Sequence, residues 1–159
     1  MTVCNSTYQA KAADAYRAFA LVDIRNRAMG VLWTTYPLND EMTEWLDSLD
    51  VSYPKKPSRF PTGREVKDAI SELNGIKASI RDNGVGGSWQ VWLESENKPE
   101  EFWTLLNITN YSGDNEQQEI WFEKGHEHLI KQVLSVICAK CGPLVLIQDT
   151  GGDPEVVSA

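Results

Sequence analysis

Residues 119–154 read EIWFEKGHEHLIKQVLSVICAKCGPLVLIQDTGGDP, and this stretch decides the fold class. A short apolar run, Ile120 to Phe122, ends at Lys124-Gly125 and predicts a strand. Apolar residues then recur from Leu129 to Ile137 at steps of one, three and four, which predicts a helix with one broad apolar face. Gly142-Pro143 ends this helix, because Gly accepts the left-handed conformation and Pro cannot continue the hydrogen bonding.

Four consecutive apolar residues, Leu144 to Ile147, predict a final strand that is buried on both faces. If this strand and the strand at Ile120–Phe122 are parallel neighbours, the helix between them is a right-handed crossover that packs on the sheet. The stretch therefore predicts a C-terminal strand-helix-strand unit, which the polar loop DTGGDP closes.

Upstream of this unit, the N-terminal part predicts mainly helices. An Ala-rich segment from Ser6 or Thr7 toward Met29-Gly30 predicts a helix, although AFALVDI within it also fits a strand. VLWTTYP follows as a short extended segment that ends at Pro37. Asn39 then caps an amphipathic helix whose apolar positions are Met42, Trp45, Leu46 and Leu49.

Two strong local signals lie in the middle of the chain. Thr62 and Glu65 have the spacing of a capping box, and the helix that they begin has its apolar face at Val66, Ala69, Ile70 and Leu73. After Asn74-Gly75, alternation at Ile76, Ala78 and Ile80 predicts a strand with one face buried. Alternation again at Trp89, Val91 and Leu93 makes the pair an antiparallel hairpin around DNGVGGS. FWTLLNITNY predicts a third strand, although Pro99-Glu100-Glu101 also fits a helix start.

This order of elements predicts an α+β fold with a single mostly antiparallel sheet of about five strands covered by helices. At 159 residues the chain fits a single domain, 1–159, with an N-terminal helical part at about 1–52 and an α+β core at about 60–157. The Pro-rich basic segment SYPKKPSRFP separates the two parts.

Composition excludes several classes of function. With 23 acidic and 15 basic residues the net charge is −8, which argues against binding to nucleic acid or to an anionic membrane. No apolar run reaches the roughly 20 residues of a membrane span, and the N-terminus lacks the pattern of a signal peptide. We therefore expect a cytoplasmic protein. Its three cysteines are an odd number, do not form a disulfide framework and are expected to be reduced.

Three motifs suggest catalysis or metal binding, and the spacing of each argues against it. Asp149-Thr150-Gly151 resembles the aspartic protease triplet but has no second copy. Cys138 and Cys141 lie ten or more residues beyond His126 and His128, or about 15 Å or more along a helix, which is too far for a shared zinc site. The segment NGVGGS is not a nucleotide-binding loop. We expect no cofactor and no metal.

The acidic residues form the best candidate for a binding surface. Asp40, Glu44 and Asp47 lie on the side of the predicted helix opposite its apolar face, and Asp149 and Asp153 lie in the last loop. Acidic side chains suit a basic partner, although acidity also serves solubility alone. Among the tryptophans, Trp45, Trp89 and Trp121 fit core positions. Trp92 and Trp103 alternate out of phase with the core, so they are either exposed for a partner or covered by the N-terminal helices.

Taken together, the capped helix and hairpin (PTGREVKDAISELNGIKASI, SWQVWLES), the FWTLL segment and the terminal strand-helix-strand unit resemble small bacterial immunity proteins. These proteins neutralise the toxins of polymorphic and contact-dependent growth inhibition systems. The resemblance covers roughly Phe60 to Val157 and implies a non-enzymatic, cytoplasmic protein that occludes the functional surface of a cognate toxin. Acidity favours a basic nuclease as that toxin, with the immunity protein a monomer or a weak dimer.

Two other classes remain open at this point. One is a small adaptor or structural subunit that oligomerises through an exposed aromatic face. The other is an enzyme of unidentified class, for which Asp149 and His126 are the only candidates.

Overall fold

The computed structural model describes residues 31–159, and this part of the chain is an α+β fold built on one antiparallel sheet. The predicted fold class is confirmed, with seven strands in the described residues where the sequence predicted about five. The strands are β1 (Leu32–Pro37), β2 (Ile76–Asp82), β3 (Trp89–Ser95), β4 (Trp103–Ile108), β5 (Trp121–Glu123), β6 (Leu144–Gln148) and β7 (Glu155–Val157). The helices are α1 (Asp40–Ser48), α2 (Gly63–Ser71) and α3 (Glu127–Cys141). None of these helices is long and apolar enough to cross a membrane.

The strands lie in the order β2-β3-β4-β5-β1-β6-β7, and every neighbouring pair is antiparallel. β5 and β6 are not the parallel neighbours that the sequence left as one possibility, because β1 lies between them. β1 pairs three residues with β5, Leu32 to Thr34, and five with β6, Trp33 to Pro37. β5 and β6 thus run in the same direction without touching, and α3 connects them across the intervening strand.

One face of the sheet, which we call the covered face, carries Phe122 and packs against α2 and α3. Side chains alternate along each strand, so this face receives Trp33, Leu106 and Leu144 from β1, β4 and β6. Val66 and Ile70 of α2 and the apolar side of α3 complete the main core. Leu129, Ile130, Val133, Leu134 and Ile137, the residues predicted for the buried side of α3, are all buried.

The opposite face, which we call the second face, is covered at one side by α1. Met42, Trp45 and Leu46 pack there on Val145 and Ile147 of β6 to form a second apolar cluster. Leu49, which the sequence placed on the same apolar face, is 40% exposed because the helix ends before it at Ser48.

The edge strand β2 departs from its sequence pattern. Ala78 and Ile80 were predicted to lie on a buried face, yet both are exposed, and Ile80 is 57% exposed. Their cross-strand neighbours Leu93 and Val91 are fully buried. The helices therefore cover the sheet only as far as β3. The alternating pattern in β2 indicates a strand, but it does not indicate that one face of this strand is buried.

Local sequence signals set the helix ends as predicted. The Asn39 side chain accepts a hydrogen bond from the Met42 amide at 2.9 Å and begins α1. Gly142 follows α3 with φ 90°, a conformation that L side chains rarely adopt, and a Cβ there would lie 2.0 Å from the Pro57 carbonyl oxygen.

The sequence predicted the outer segments of the chain with different success. The helix predicted from Ser6 or Thr7 to Met29-Gly30 lies outside the described residues. VLWTTYP is β1, a central strand of the sheet. The C-terminal strand β7 was not predicted, because its three residues are too short to show a period.

The capping box of α2 generates a prediction about stability. Thr62 Oγ1 accepts a hydrogen bond from the Glu65 amide at 3.2 Å, and Glu65 Oε1 accepts one from the Thr62 amide at 2.9 Å. We expect Thr62→Ala to lower the free energy of unfolding by about 1 kcal/mol, measured by urea denaturation, because the first turn loses its side-chain acceptor. Thr62→Ser should retain most of the stability. Equal stability of the Ala and Ser variants would contradict this role.

Candidate partner-binding surface

The acidic side of α1 is exposed along its whole length. Burial of Met42, Trp45 and Leu46 against the sheet fixes the rotation of the helix. The carboxylates of Asp40, Glu44 and Asp47 therefore lie on the exposed side, as the sequence predicted. Glu41 and Asp50 are also exposed near the two ends of the helix. We call Asp40, Glu44 and Asp47 the acidic stripe.

Among the described residues, no ion pair involves the acidic stripe. Elsewhere several basic side chains are paired, for example Lys140 with Glu72 at 2.7 Å and Lys67 with Asp114 at 2.8 Å. Like charges three and four residues apart on a helix repel each other, by up to about 0.5 kcal/mol for each pair. Asp47 in the last turn also opposes the helix dipole. The repulsions within the stripe and the position of Asp47 disfavour α1, whereas Asp40 in the first turn suits the helix dipole. No cation of the described residues compensates the stripe.

Asp47 has a neutral partner that orients it. The Tyr53 hydroxyl donates a hydrogen bond to Asp47 Oδ1 at 2.9 Å. This hydrogen bond to the carboxylate raises the pKa of Tyr53 above its ordinary value. The hydroxyl thus stays protonated at neutral pH, and the negative charge of Asp47 remains available to a partner.

A cleft of about 500 Å³ lies beside the C-terminal half of β1, and Tyr36, one of its lining residues, also packs against the apolar cluster that contains α1. It exists because β5 is short. Trp121 at the start of β5 is opposite Thr34 of β1 and Asn107 of β4, and both of these longer strands continue past it. The chain before β5 leaves the sheet, and Thr35 Oγ1 holds it by donating to the Ile120 carbonyl at 2.7 Å. The space between the ends of β1 and β4 is the cleft.

Aromatic rings and neutral polar groups line this cleft. The rings belong to Tyr36, Phe60 and Trp121, each half-buried. The Trp121 indole Nε1 donates to Thr109 Oγ1 at 2.9 Å, which fixes the ring. Glu119 is the only charged residue among the described residues that line the cleft, and the polar ones include Thr34, Asn110 and Gln117.

A buried amide holds the loop that forms one wall of the cleft. Gln118 is 1% exposed, and its Nε2 donates to the carbonyls of Gly113 at 2.8 Å and Glu116 at 3.0 Å. Its Oε1 accepts from both the amide and the hydroxyl of Ser112 at 3.2 Å. The same two carbonyls also accept backbone hydrogen bonds, Gly113 from the Glu116 amide and Glu116 from the Gly63 amide, so the Gln118 amide adds a second set of ties to this wall.

An ionic cluster fastens the same loop to α2. Asp114 accepts hydrogen bonds from Lys67 and Tyr111 and pairs with Arg64 at 3.3 Å. The hydrogen bond from Lys67, followed by that from Tyr111, lowers the pKa of Asp114 below its ordinary value. The carboxylate is therefore ionised at neutral pH and anchors the loop in that form.

The two acidic residues predicted in the last loop lie at the other end of the sheet from the cleft. Asp149 follows β6 next to the first residue of β1, and its Oδ1 accepts from the Leu32 amide at 3.0 Å. Asp153 is exposed in the turn between β6 and β7. Asp149 thus makes a hydrogen bond within the fold in addition to its predicted role as a partner contact. Asp153 is exposed to solvent.

The cysteines of CAKC pack in the core. Cys138 and Cys141 are free and buried, at 3% and 4% exposure. A hydrogen bond with Cys141 and burial both raise the pKa of Cys138, which keeps its thiol protonated. In residues 31–159 no group of three or more His, Cys, Asp and Glu residues is placed to hold a metal ion. Cys4 lies outside these residues.

The histidines are placed at the start of α3. His126 is half-buried against Phe102, with ring centroids 4.3 Å apart, and its Nδ1 is buried with no hydrogen-bond partner in residues 31–159. His128 is exposed, and its ring centroid lies 6.4 Å from that of His126.

The tryptophans divide between the faces mainly as their alternation predicts. Trp45 and Trp89 are buried, and Trp92 is 37% exposed. Trp92 stacks on the half-buried Trp103, with centroids 4.8 Å apart and an interplanar angle of 14°. The prediction that Trp121 is a core residue is wrong. Adjacent residues of a strand point to opposite faces, and Phe122 takes the covered face, so Trp121 points to the second face.

The cleft was missed from the sequence, because its walls come from four separate segments of the chain. A signal was nevertheless present. Two adjacent bulky aromatic residues in a short strand, Trp121-Phe122, require that one of them leaves the core.

No family model, curated protein or solved structure matches this chain.

The hydrogen bonds of Gln118 generate a prediction about the cleft wall. We expect Gln118→Ala to lower the free energy of unfolding by about 2–3 kcal/mol, because the loop loses the four hydrogen bonds of the buried Gln118 amide to Ser112, Gly113 and Glu116. Gln117→Ala, at the exposed neighbouring position, should change it by less than about 0.5 kcal/mol. Urea denaturation of both variants provides the measurement, and equal effects of the two substitutions would refute this role for Gln118.

Proposed function

We propose that this protein is an immunity protein that binds a cognate bacterial toxin and neutralises it by occluding its functional surface. The observation that carries the proposal is the acidic stripe on α1, which is exposed and makes no ion pair with the described residues. Natural helices usually gain stability from opposite charges three or four residues apart. A helix that presents carboxylates without such pairs fits a surface whose cations come from a partner.

The charge of the stripe favours a basic toxin, and a nuclease in particular. A nuclease binds phosphates through clustered Lys and Arg side chains, so its functional surface is positively charged. An acidic helix face attracts that surface during diffusion and then covers it. The overall charge of −8 acts in the same direction.

The position of α1 supports a larger contact area than the helix alone. The helix begins three residues after Pro37, the last residue of β1, and Tyr36 just before it lines the cleft. The start of the stripe and the cleft therefore share one end of the sheet. A partner on α1 can reach the cleft, while Asp153 at the opposite end is a secondary contact.

Charge reversal on the stripe tests the proposal. We expect the triple variant Asp40→Lys, Glu44→Lys and Asp47→Lys to weaken toxin binding about 100-fold or more, because three attractions of up to about 1 kcal/mol each become repulsions. The dependence of the binding affinity on salt concentration should also decrease in this variant. The measurement is isothermal titration calorimetry at two salt concentrations, with the toxin domain encoded in the neighbouring reading frame.

A matched control changes the same charge elsewhere. Glu96, Glu100 and Glu101 are exposed in the connection between β3 and β4 and make no ion pair with the described residues. The triple reversal Glu96→Lys, Glu100→Lys and Glu101→Lys raises the net charge equally. It should reduce affinity less than about 5-fold, through long-range effects alone. Equal losses of affinity in the two triple variants would show that the stripe is not part of the binding surface.

The neighbouring reading frame is itself a test. A large secreted protein with a variable C-terminal domain is the expected neighbour. Co-expression of the immunity protein should restore the growth of cells that this C-terminal domain inhibits. An operon of metabolic enzymes would contradict the immunity function.

The stacked Trp92 and Trp103 favour a second candidate function, an adaptor subunit that oligomerises. The pair lies on the second face away from α1, and Trp92 is 37% exposed there. Apolar side chains grouped on a surface mark contacts with other proteins.

Sedimentation velocity over a 100-fold concentration range separates the two candidates. The immunity function predicts a monomer or a weak dimer, and Trp92→Ser should leave the distribution of sedimentation coefficients unchanged. A tight dimer that Trp92→Ser dissociates would favour the adaptor instead.

A further inference from the structure

We propose that the outer edge of β2 accepts an extended segment of another protein as an added strand, and that this segment carries two carboxylates four residues apart. The inference goes beyond the proposed function. The toxin is basic and is expected on α1, whereas the segment on β2 is acidic.

The backbone of β2 has a row of polar groups without partners in residues 31–159. β2 is the terminal strand of the sheet and pairs only with β3. Beside the hairpin turn, the Asn83 amide donates to the Ser88 carbonyl at 3.1 Å. Alternate residues of an antiparallel pair bond to the same neighbour, so the odd-numbered positions of β2 face β3. The outward-facing N–H and C=O groups belong to Ile76, Ala78, Ile80 and Asp82.

The edge of β2 is long and regular. Its seven residues pair one to one with β3, which leaves no bulge, and the segment IKASIRD contains no Pro. All of these residues except Ile76 are exposed. Proteins usually shorten, bend or cover such an edge, because it invites pairing with another chain. In the described residues, the charges of Lys77 and Arg81 are what limits pairing here.

These two charges argue against a second copy of this chain as the occupant. A two-fold axis at Ser79 would pair all the outward-facing residues of β2 with those of a second β2. The same register places Lys77 of each copy directly opposite Arg81 of the other, and like charges opposite each other on neighbouring strands are destabilising. A segment with carboxylates at both positions replaces the two repulsions with attractions.

Both cations can form such pairs. Arg81 makes no ion pair within residues 31–159, and Lys77 lies 4.0 Å from Glu94, the longest ion-pair distance among these residues. Arg81 also lines a groove of about 380 Å³ on the second face, together with Ser79 and Trp92. A carboxylate on an added strand therefore has room beside the guanidinium, which binds carboxylates in a bidentate geometry.

The other side of β2 favours apolar residues between the two carboxylates. Ala78 and Ile80 lie on the same side of the sheet as their buried neighbours Leu93 and Val91, and Ile80 is 57% exposed. An added antiparallel strand places one residue opposite each of them. Apolar side chains at these two positions would remove Ile80 from water. The segment therefore reads acidic, apolar, any residue, apolar, acidic.

The test uses the peptide acetyl-Thr-Glu-Val-Thr-Val-Glu-Thr-amide and its analogue with Lys in place of both Glu residues. In ¹⁵N-resolved NMR titrations of the full chain, we expect the acidic peptide to shift the amide resonances of Ala78 and Ile80 saturably, with a Kd in the millimolar range. The shifts at Lys77 and Ser79, whose amides face β3, should be smaller. The lysine peptide should bind at least about 10-fold more weakly. Equal binding of the two peptides, or no shift at Ala78 and Ile80, would overturn the proposal.

N-methylation of the peptide tests the backbone pairing. The N–H groups of the two Val residues face β2 in the proposed register, and that of the central Thr points away. Methylation of both Val nitrogens should therefore weaken binding about 10-fold or more, and methylation of the central Thr nitrogen should change it less than about 3-fold. Equal effects of the two modifications would show that the peptide does not bind as a strand.

A matched pair of variants tests the charge. Arg81→Gln should weaken binding of the acidic peptide about 5-fold or more. Lys56→Gln changes the net charge equally, at an exposed position in the segment between α1 and α2, and should leave the affinity unchanged. Both side chains are exposed, so both variants should fold, which their NMR spectra check directly. Equal weakening by the two variants would reveal a general charge effect and overturn the site.

Dilution of the protein alone tests the alternative occupant. We expect the amide shifts of Ala78 and Ile80 to stay constant over about a 50-fold range of protein concentration, because the two Lys77–Arg81 repulsions prevent self-pairing. Shifts at these amides that depend on concentration would identify a second copy as the occupant and contradict the proposal.

Discussion

The pairing of β1 with both β5 and β6 is the interaction on which the rest of the structure depends. Without β1 the sheet would divide between β5 and β6, because no other strand of the described residues bridges them. The same strand carries Trp33 into the main core and Tyr36 to the edge of the second cluster. It also leads directly to Asn39, which begins α1. One short strand therefore joins the two halves of the sheet and positions the acidic helix.

The unequal lengths of the paired strands explain the candidate site. β1 continues along β6 to Pro37, but its pairing with β5 ends at Thr34, opposite Trp121. The sheet is thus incomplete on one side of β1 and complete on the other. α1 packs over the complete side, where Val145 and Ile147 provide apolar surface. The incomplete side becomes a cleft with aromatic and amide walls, so two surfaces of different chemistry arise at one end of one strand.

Short-range patterns predicted the elements well, because their causes are local. The Asn39 cap, the Thr62 and Glu65 capping box, the β2–β3 hairpin and the end of α3 at Gly142 depend on contacts within a few residues. The position of β1 depends on pairing across more than 80 residues, which no local period encodes. Alternation in β2 likewise indicates a strand, but it does not show whether a helix covers that strand. The prediction that Ile80 is buried was therefore wrong. The acidic stripe followed from the helix period, whereas the cleft required the sheet order.

Hydrogen exchange of the complex with the neighbouring toxin domain tests most directly the claim that the surface at this end of β1 binds the partner. We expect slower amide exchange in the complex at residues 39–50 and 109–121, with unchanged exchange in the exposed edge strand β2. Protection centred on β2 and β3, with none in α1, would contradict the account and place the partner on the Trp92 and Trp103 side of the sheet.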